Sequence, residues 1–186
     1  MAKIKGFAIR GLLRYVKESG FPGGIPAALA ELPPSTAEAF QRRILHASWY
    51  PYAAYGDLLA VVDRVLGRGD LSLMPEIGRF AARGDAGAGF KVVAFFTSVE
   101  TLLRRSSLFW ERYCDTGSFE TTDVQAGSGI GMLKDFPDVA PSHCHLLTGW
   151  IDGMARVAGA KTVAVEKTLC VHRGDRWCEY RGTWGR

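Results

Sequence analysis

Apolar residues recur at helical spacing through most of the first two thirds of the chain. Between Pro51 and Gly67 they fall three and four positions apart, which predicts an amphipathic helix with Pro51 in its first turn and Gly67 at its end. Residues 75–85 and 90–105 show the same spacing and predict two further helices. This part of the chain is therefore predicted to be helical.

The pattern changes after residue 116. Residues 117–125 and 128–136 place Thr, Val and Phe between glycines and predict two strands, and residues 141–160 return to helical spacing. Residues 161–172 and 176–184 predict a closing hairpin. The sequence thus predicts an α+β fold, in which N-terminal helices pack on a C-terminal antiparallel sheet of about four strands with the order β-β-α-β-β.

The helix predicted over 141–160 has one apolar face, which we expect to cover the sheet. Asp152 and Arg156 are four residues apart and predict an exposed ion pair on another side of this helix. The apolar face comprises Leu147, Trp150, Ile151, Met154 and Val157.

Length and composition favour one domain. The 186 residues are 47% hydrophobic, enough for one core, and we expect a single domain over 1–186 with a helical part at 1–115 and a ββαββ part at 116–186. No apolar run approaches the roughly 18 residues of a membrane span, and no secretory signal is recognisable, so we expect a cytoplasmic protein. The net charge of +4 is scattered, which argues against nucleic-acid binding.

The four cysteines favour a metal site or simple burial over disulfides in a reducing compartment. A three-residue loop at 173–175 would place Cys170 opposite Cys178 in the hairpin, close enough to share a metal ion. Cys144 falls on the helix face that should cover the sheet, so three thiols can converge. The alternative is that these cysteines, like Cys114, are small buried hydrophobic residues.

The end of the chain resembles a known domain type. Cys170, seven residues that include Gly-Asp, Cys178, a following aromatic residue and a final Trp are similar to the close of 4-vinyl-reductase-type domains. These domains are related to heme-NO-binding-like domains and to small subunits of the TRAPP trafficking complex. The stretches HASWYPYAAYGDLL and LMPEIGRFAARGD also resemble an uncharacterised family common in myxobacteria, and the whole resemblance spans about residues 45 to 184.

The resemblance implies a zinc site. In the phenol and toluene sensors of this class, three cysteines and a glutamate hold zinc, which implies Cys144, Cys170 and Cys178 as three ligands here. Lys167 occupies the position of the glutamate and cannot bind zinc while it is charged. A histidine is chemically suitable as the fourth ligand, and the sequence does not select among the candidates. The candidates are His143, His145 and His172.

Aromatic residues cluster around several predicted helices. Such a set is usually core, but it is also what an apolar ligand cavity between helices and sheet is built from, with an imidazole, a Tyr hydroxyl or a Trp indole N–H as polar groups. The predicted ligand-binding residues are His46, Trp49, Tyr52, Tyr55, Phe95, Phe96 and Trp110.

These observations together predict a non-catalytic sensory or regulatory domain that binds a small hydrophobic or aromatic molecule. No catalytic arrangement of Ser, His, Asp or Cys is recognisable in the sequence, so an enzyme is the weaker hypothesis, together with a heme-based gas sensor. We expect a homodimer that signals through an unknown downstream protein partner. The main alternative is a protein-interaction module of the TRAPP-subunit type without an exchangeable ligand.

Overall fold

The computed structural model describes residues 1–87 and 98–185, which form eight α-helices and six strands. The helices are α1 Gly6–Glu18, α2 Gly24–Ala30, α3 Pro34–Ala37, α4 Tyr52–Leu66, α5 Met74–Gly87, α6 Val99–Arg104, α7 Ser106–Tyr113 and α8 Pro141–Val157. The strands are β1 Lys3–Lys5, β2 Trp49–Pro51, β3 Ser118–Gln125, β4 Ser128–Lys134, β5 Thr162–Leu169 and β6 Cys178–Gly185.

The predicted fold class is confirmed. Strands β3, β4, β6 and β5 lie in that order in one antiparallel sheet, and α8 connects β4 to β5 as the predicted ββαββ order requires. Helix α4 begins one residue after Pro51 and ends before Gly67. Of the helix predicted over 90–105, the structure describes only the end, as α6, and Phe95 and Phe96 lie outside the described residues. No described helix has the length and apolar character needed to cross a membrane.

A second, two-stranded sheet was not predicted. β1 pairs with β2 in an antiparallel register that places Ile4 opposite Tyr50. Ile4 is fully buried and also forms an isolated bridge with Cys114. Strands of three residues are too short for an alternating pattern to be recognised, and this sheet ties the start of the chain to the residues before α4.

The turn between β5 and β6 is longer than predicted. Residues 171–173 form a 3-10 turn, and the three-residue loop expected at 173–175 is wrong. Local polar groups explain this turn, because the Cys170 N–H donates to the Asp175 carboxylate at 2.7 Å and the Cys170 carbonyl accepts from the Arg173 N–H at 2.8 Å. Gly174 completes the turn with a φ of 90°, which favours glycine.

Helices α5 and α8 pack at close range because glycines face the contact. A Cβ atom on Gly149 would overlap the Pro75 carbonyl, and one on Gly78 would overlap the Leu146 carbonyl. The predicted ion pair of Asp152 with Arg156 forms, but Asp152 lies beside this contact and is only 8% exposed, so its carboxylate is buried where an exposed one was predicted. Its carboxylate accepts from Arg156 at 2.7 Å and from Arg79 of α5 at 3.3 Å, and these two cations compensate for its burial.

Candidate functional site

A cavity of 80 Å³ lies between the helices and the face of the four-stranded sheet that they cover. Its described lining is almost entirely apolar and comes from α1, α4, α5, α6, α7 and α8 on one side and from the sheet on the other. Apolar cavities of this kind remain dry and bind apolar guests. Prominent lining residues are Tyr55, Phe109, Trp110, Trp150, Met154 and Tyr180.

Glycines on the sheet side of the cavity allow other side chains to approach the sheet closely. Gly129 and Gly131 alternate along β4 on its buried face, and β6 places Gly182 opposite Gly129. A Cβ atom on Gly131 would come within 2.7 Å of the Phe119 ring, whereas one on Gly182 would have its nearest neighbours at 3.9 Å. The ring of Phe119 therefore lies over Gly131 and forms part of the lining.

His143 brings a polar group into this apolar lining. It lies in the first turn of α8 and is only 4% exposed, with its ring stacked at 5.9 Å on Trp110 and edge-on at 5.5 Å to Tyr55. Nδ1 of the imidazole is 2.9 Å from the Tyr52 hydroxyl. Burial lowers the pKa of His143 to about 4 and raises the pKa of Tyr52 well above its usual value. Both side chains are therefore neutral near pH 7.

The structure brings some of the predicted ligand-binding residues to the cavity and not others. Tyr55 and Trp110 line it, although the Trp110 indole N–H already donates to the Thr116 carbonyl at 3.0 Å. Tyr52 lies behind the lining, where it contacts His143. His46 and Trp49 are on the surface, because β2 and the segment before it run along the outside of the molecule.

Each of the two surface residues has a partner of its own. His46 packs against Phe7 with ring centroids 5.4 Å apart. Trp49 is 40% exposed, and the Lys5 ammonium lies 3.9 Å from the centroid of its ring. A cation over an indole face is a common way to cover a surface tryptophan. Neither residue lines the cavity.

Sequence reasoning considered His143 only as a zinc ligand, although its spacing indicates the cavity. Residues 143, 147, 150 and 154 follow one another at intervals of four, three and four, so His143 continues the apolar face of α8. The glycines of β4 likewise alternate with period two, which is the spacing of one face of a strand. The sequence therefore contained two signals for the cavity: a polar residue on the apolar face of α8, and glycines on one face of β4.

Three thiols meet beneath α8, as the sequence predicted. The Sγ atoms of Cys144, Cys170 and Cys178 all lie within 4.8 Å of one another, and all three residues are buried. Cys144 comes from α8, while Cys170 and Cys178 flank the turn between β5 and β6. The Tyr180 hydroxyl donates to the Cys144 carbonyl at 3.0 Å and joins the helix to the sheet at this point.

Hydrogen bonds shift the pKa values of Cys144 and Cys178 in opposite directions. Cys144 Sγ and Cys178 Sγ are 3.4 Å apart. The hydrogen bond from Cys144 and a further one from the Val171 N–H lower the pKa of Cys178, and the same thiol pair raises the pKa of Cys144. Within the described residues, no His, Asp or Glu completes the cluster. His172 Nε2 lies 2.8 Å from the Val139 carbonyl, so this nitrogen is not available as a fourth ligand.

No protein-family model and no curated protein matches the chain. Solved structures of H-NOX proteins do match. The H-NOX protein from S. oneidensis in its Fe(II)NO ligation state is 16% identical, with a TM-score of 0.78 over 98% of this chain and 99% of that chain. The unliganded Fe(II) H-NOX protein from K. algicida is 11% identical, with a TM-score of 0.70 over 98% of this chain and 97% of that chain.

At these identities the similarity establishes the fold alone. The chain has the fold of H-NOX proteins, which confirms the heme-NO-binding-like part of the predicted resemblance at the level of architecture. The resemblances to 4-vinyl-reductase-type domains, to TRAPP subunits and to a myxobacterial family receive no support from these matches.

Proposed function

We propose that this chain is a non-catalytic sensory or regulatory domain that binds a small hydrophobic molecule in the cavity between its helices and its sheet. The observation that carries the proposal is an apolar cavity with a single neutral imidazole in its described lining. Few polar groups in a mostly apolar pocket are typical of sites for small molecules. The H-NOX fold supports the same type of function, because the matching structure from S. oneidensis is in an Fe(II)NO ligation state.

The cavity volume restricts the size of the ligand. An engineered apolar cavity of about 150 Å³ binds benzene, and the volume here is 80 Å³. A guest of a few non-hydrogen atoms fits without rearrangement, whereas an aromatic ring requires lining side chains to move. We therefore propose a ligand smaller than the aromatic molecules that the sequence suggested.

Heme, which the fold family implies, does not fit the residues present. The cavity volume of 80 Å³ is too small for a porphyrin, and the described lining includes no lysine or arginine to pair with its two carboxylates. Carboxylates taken out of water without a partner are costly. Fold similarity to H-NOX proteins therefore supports the sensory role without the cofactor.

A thermal-shift screen tests the proposed function. We expect small apolar compounds such as acetone, isobutene and cyclopropane to raise the unfolding midpoint, because a guest restores contacts that an empty cavity lacks. At 100 times the dissociation constant, binding adds about 2.7 kcal/mol, or several degrees for a domain of this size. Tyr55→Ala should change this shift, while Trp49→Ala on the surface should not.

If no compound raises the midpoint of the wild-type chain, the sensory proposal fails. The protein-interaction module of the TRAPP-subunit type then takes its place, since that hypothesis requires no exchangeable ligand. Native mass spectrometry of freshly purified protein provides a second readout, because a co-purified guest adds its own mass to the chain.

We further propose that Cys144, Cys170 and Cys178 bind one zinc ion. Zinc–sulfur bonds of about 2.3 Å in tetrahedral geometry place sulfur atoms about 3.8 Å apart, and the three Sγ atoms already lie within 4.8 Å of one another. The donor set fits zinc, which prefers thiolates. The ion would cross-link α8 to the turn between β5 and β6.

Elemental analysis of protein purified without chelators should find close to one zinc per chain. Cys178→Ser should lose the metal and several kcal/mol of stability, because metal binding is coupled to folding. Cys114→Ser is the matched control, since Cys114 is buried elsewhere and contacts β1. A metal-free wild type, with Cys178→Ser no less stable than Cys114→Ser, would mean that the three thiols are packing groups.

We also propose that the chain forms a homodimer in the cytoplasm and passes its signal to a separate protein. Large apolar side chains remain exposed at Leu45, Val65 and Leu108, and the mass of the protein in solution tests whether the chain associates. Light scattering during size exclusion at tens of micromolar should give twice the mass of one chain. The mass of a single chain at that concentration would remove the homodimer from the proposal.

A further inference from the structure

The hydrogen-bond network around His143 determines which of its two ring nitrogens carries the proton. The Tyr52 hydroxyl accepts a hydrogen bond from the Ala140 N–H at 3.0 Å and lies 2.9 Å from His143 Nδ1. A phenol oxygen that accepts from a backbone N–H still has one proton to donate. Nδ1 is the acceptor within reach, so the Tyr52 proton points to it.

The opposite arrangement would leave a buried proton without an acceptor. If Nδ1 carried the proton, Tyr52 would accept from both Ala140 and His143, and its own O–H would have no acceptor among the described residues. Tyr52 is 3% exposed, so water does not supply an acceptor readily. A buried hydroxyl without its hydrogen bond costs free energy. The imidazole therefore carries its proton on Nε2.

Nε2 is accessible from the cavity. His143 is part of the lining, and Nε2 makes no hydrogen bond with the described residues. Nδ1 points at the Tyr52 hydroxyl, so Nε2 lies at the ring edge away from that hydrogen bond. His143 is only 4% exposed, so this donor faces the apolar cavity that the side chain lines.

We infer that His143 offers its Nε2–H as a hydrogen-bond donor to the ligand and that the cavity selects small apolar molecules with one acceptor oxygen, such as ketones, aldehydes or ethers. This inference rests on the proposed function and specifies the class of ligand. Tyr52 is a positioning residue, because it fixes the tautomer without touching the ligand. The same tautomer leaves no lone pair on Nε2 for a metal ion.

The tautomer is measured directly by NMR in the ligand-free protein. Long-range ¹H–¹⁵N correlations of the imidazole show which nitrogen bears the proton, and we expect His143 to be protonated at Nε2. In Tyr52→Phe the donor to Nδ1 is lost, so the two tautomers should both be populated. A structural role of Tyr52 alone would leave the nitrogen shifts unchanged. A wild-type His143 protonated at Nδ1 overturns the inference.

Ligand selection is tested with acetone and isobutene, which have the same shape but differ in the acceptor oxygen. His143→Phe keeps a ring and removes the donor, so it should weaken acetone binding about fivefold or more while isobutene changes less than twofold. Because acetone and isobutene have the same shape, the ratio of their affinities does not depend on how the new ring changes the shape of the cavity. Tyr52→Phe retains the imidazole, and it should also weaken the binding of acetone.

His46→Phe is the control, because His46 is a surface histidine outside the lining, and neither affinity should change. If acetone and isobutene both bind the wild type and His143→Phe weakens them equally, the inference fails while the proposed function stands. If neither probe binds the wild type, the proposed function fails and the inference falls with it.

Discussion

Single side chains decide how much space the cavity has. Gly131 lies under the Phe119 ring, whose stacking partners are Trp110 and Tyr180, each with a ring centroid 6.2 Å away. A methyl group at residue 131 pushes this ring toward those partners. Gly182 on the neighbouring strand lies at the same sheet face, and a Cβ atom there would make only ordinary contacts at 3.9 Å. Alanine substitutions at these two glycines can therefore be compared with each other.

Gly131→Ala should destabilise the protein by about 1–3 kcal/mol, because overpacking forces side chains off their preferred positions. Gly182→Ala should change the free energy of unfolding by about 0.5 kcal/mol or less, since the nearest atoms would be 3.9 Å from the new Cβ. Denaturant unfolding of both variants measures the difference. Equal effects would show that Phe119 has room to move away from Gly131.

At the level of single residues, the sequence predicts the chemical type of the residues that line the cavity better than it predicts which individual residues reach it. It indicated that aromatic residues would surround a cavity, and Tyr55 and Trp110 do. It could not distinguish them from Trp49, because whether an aromatic residue after a loop turns inward depends on the pairing of β1 with β2. His143 was not predicted to line the cavity, because its position next to Cys144 favoured a role as a zinc ligand.

At the scale of elements, the contact between α5 and α8 depends on glycines that side chains cannot replace. Gly149 contacts the Pro75 carbonyl, and Gly153 lies against Ala82, where a Cβ atom would be 2.6 Å away. Backbone atoms cannot move aside as flexible side chains do. The close approach also positions α8, which carries both His143 and Cys144.

Gly149→Ala should therefore destabilise the fold by about 3 kcal/mol or more, because the two helices must separate. Gly11→Ala on α1 is the control, since no described residue lies within 4 Å of its Cβ position, and alanine there should stabilise the helix by about 0.5–1 kcal/mol. Thermal unfolding of the two variants should show shifts of opposite sign. A mild effect of Gly149→Ala would mean that α8 has freedom to shift.

Helices and long strands were predictable because their hydrophobic period is local. Helix α4 matches its predicted bounds within one residue at each end, and hairpin connections explain the pairs β3–β4 and β5–β6, whereas the pairing of β4 with β6 is not local. The turn after Cys170 was not predictable, because it depends on the Asp175 carboxylate reaching back to a backbone N–H five residues away. Even so, the local pairing of Leu169 with Glu179 continues toward the predicted approach of Cys170 and Cys178.

At the scale of the whole molecule, the fold is that of H-NOX proteins while the cavity is too small for heme. We expect protein purified from cells supplied with a heme precursor to be colourless. Its visible absorption spectrum should show no porphyrin band. After hemin is added, the wild type and His143→Phe should give the same spectrum, with no band of bound porphyrin that depends on His143. A stoichiometric porphyrin spectrum that depends on His143 would contradict the account of the cavity and of the tautomer.

The apolar cavity between the helices and the sheet should admit small guests, and xenon binding is a direct measure of this. Xenon is apolar, has no hydrogen-bonding group and binds dry apolar cavities. NMR spectra recorded under increasing xenon pressure should show saturable shifts at lining groups, such as the Met154 methyl and the Trp150 indole, with none at Trp49. Shifts that are absent, or that rise linearly across the whole molecule, would contradict the claim.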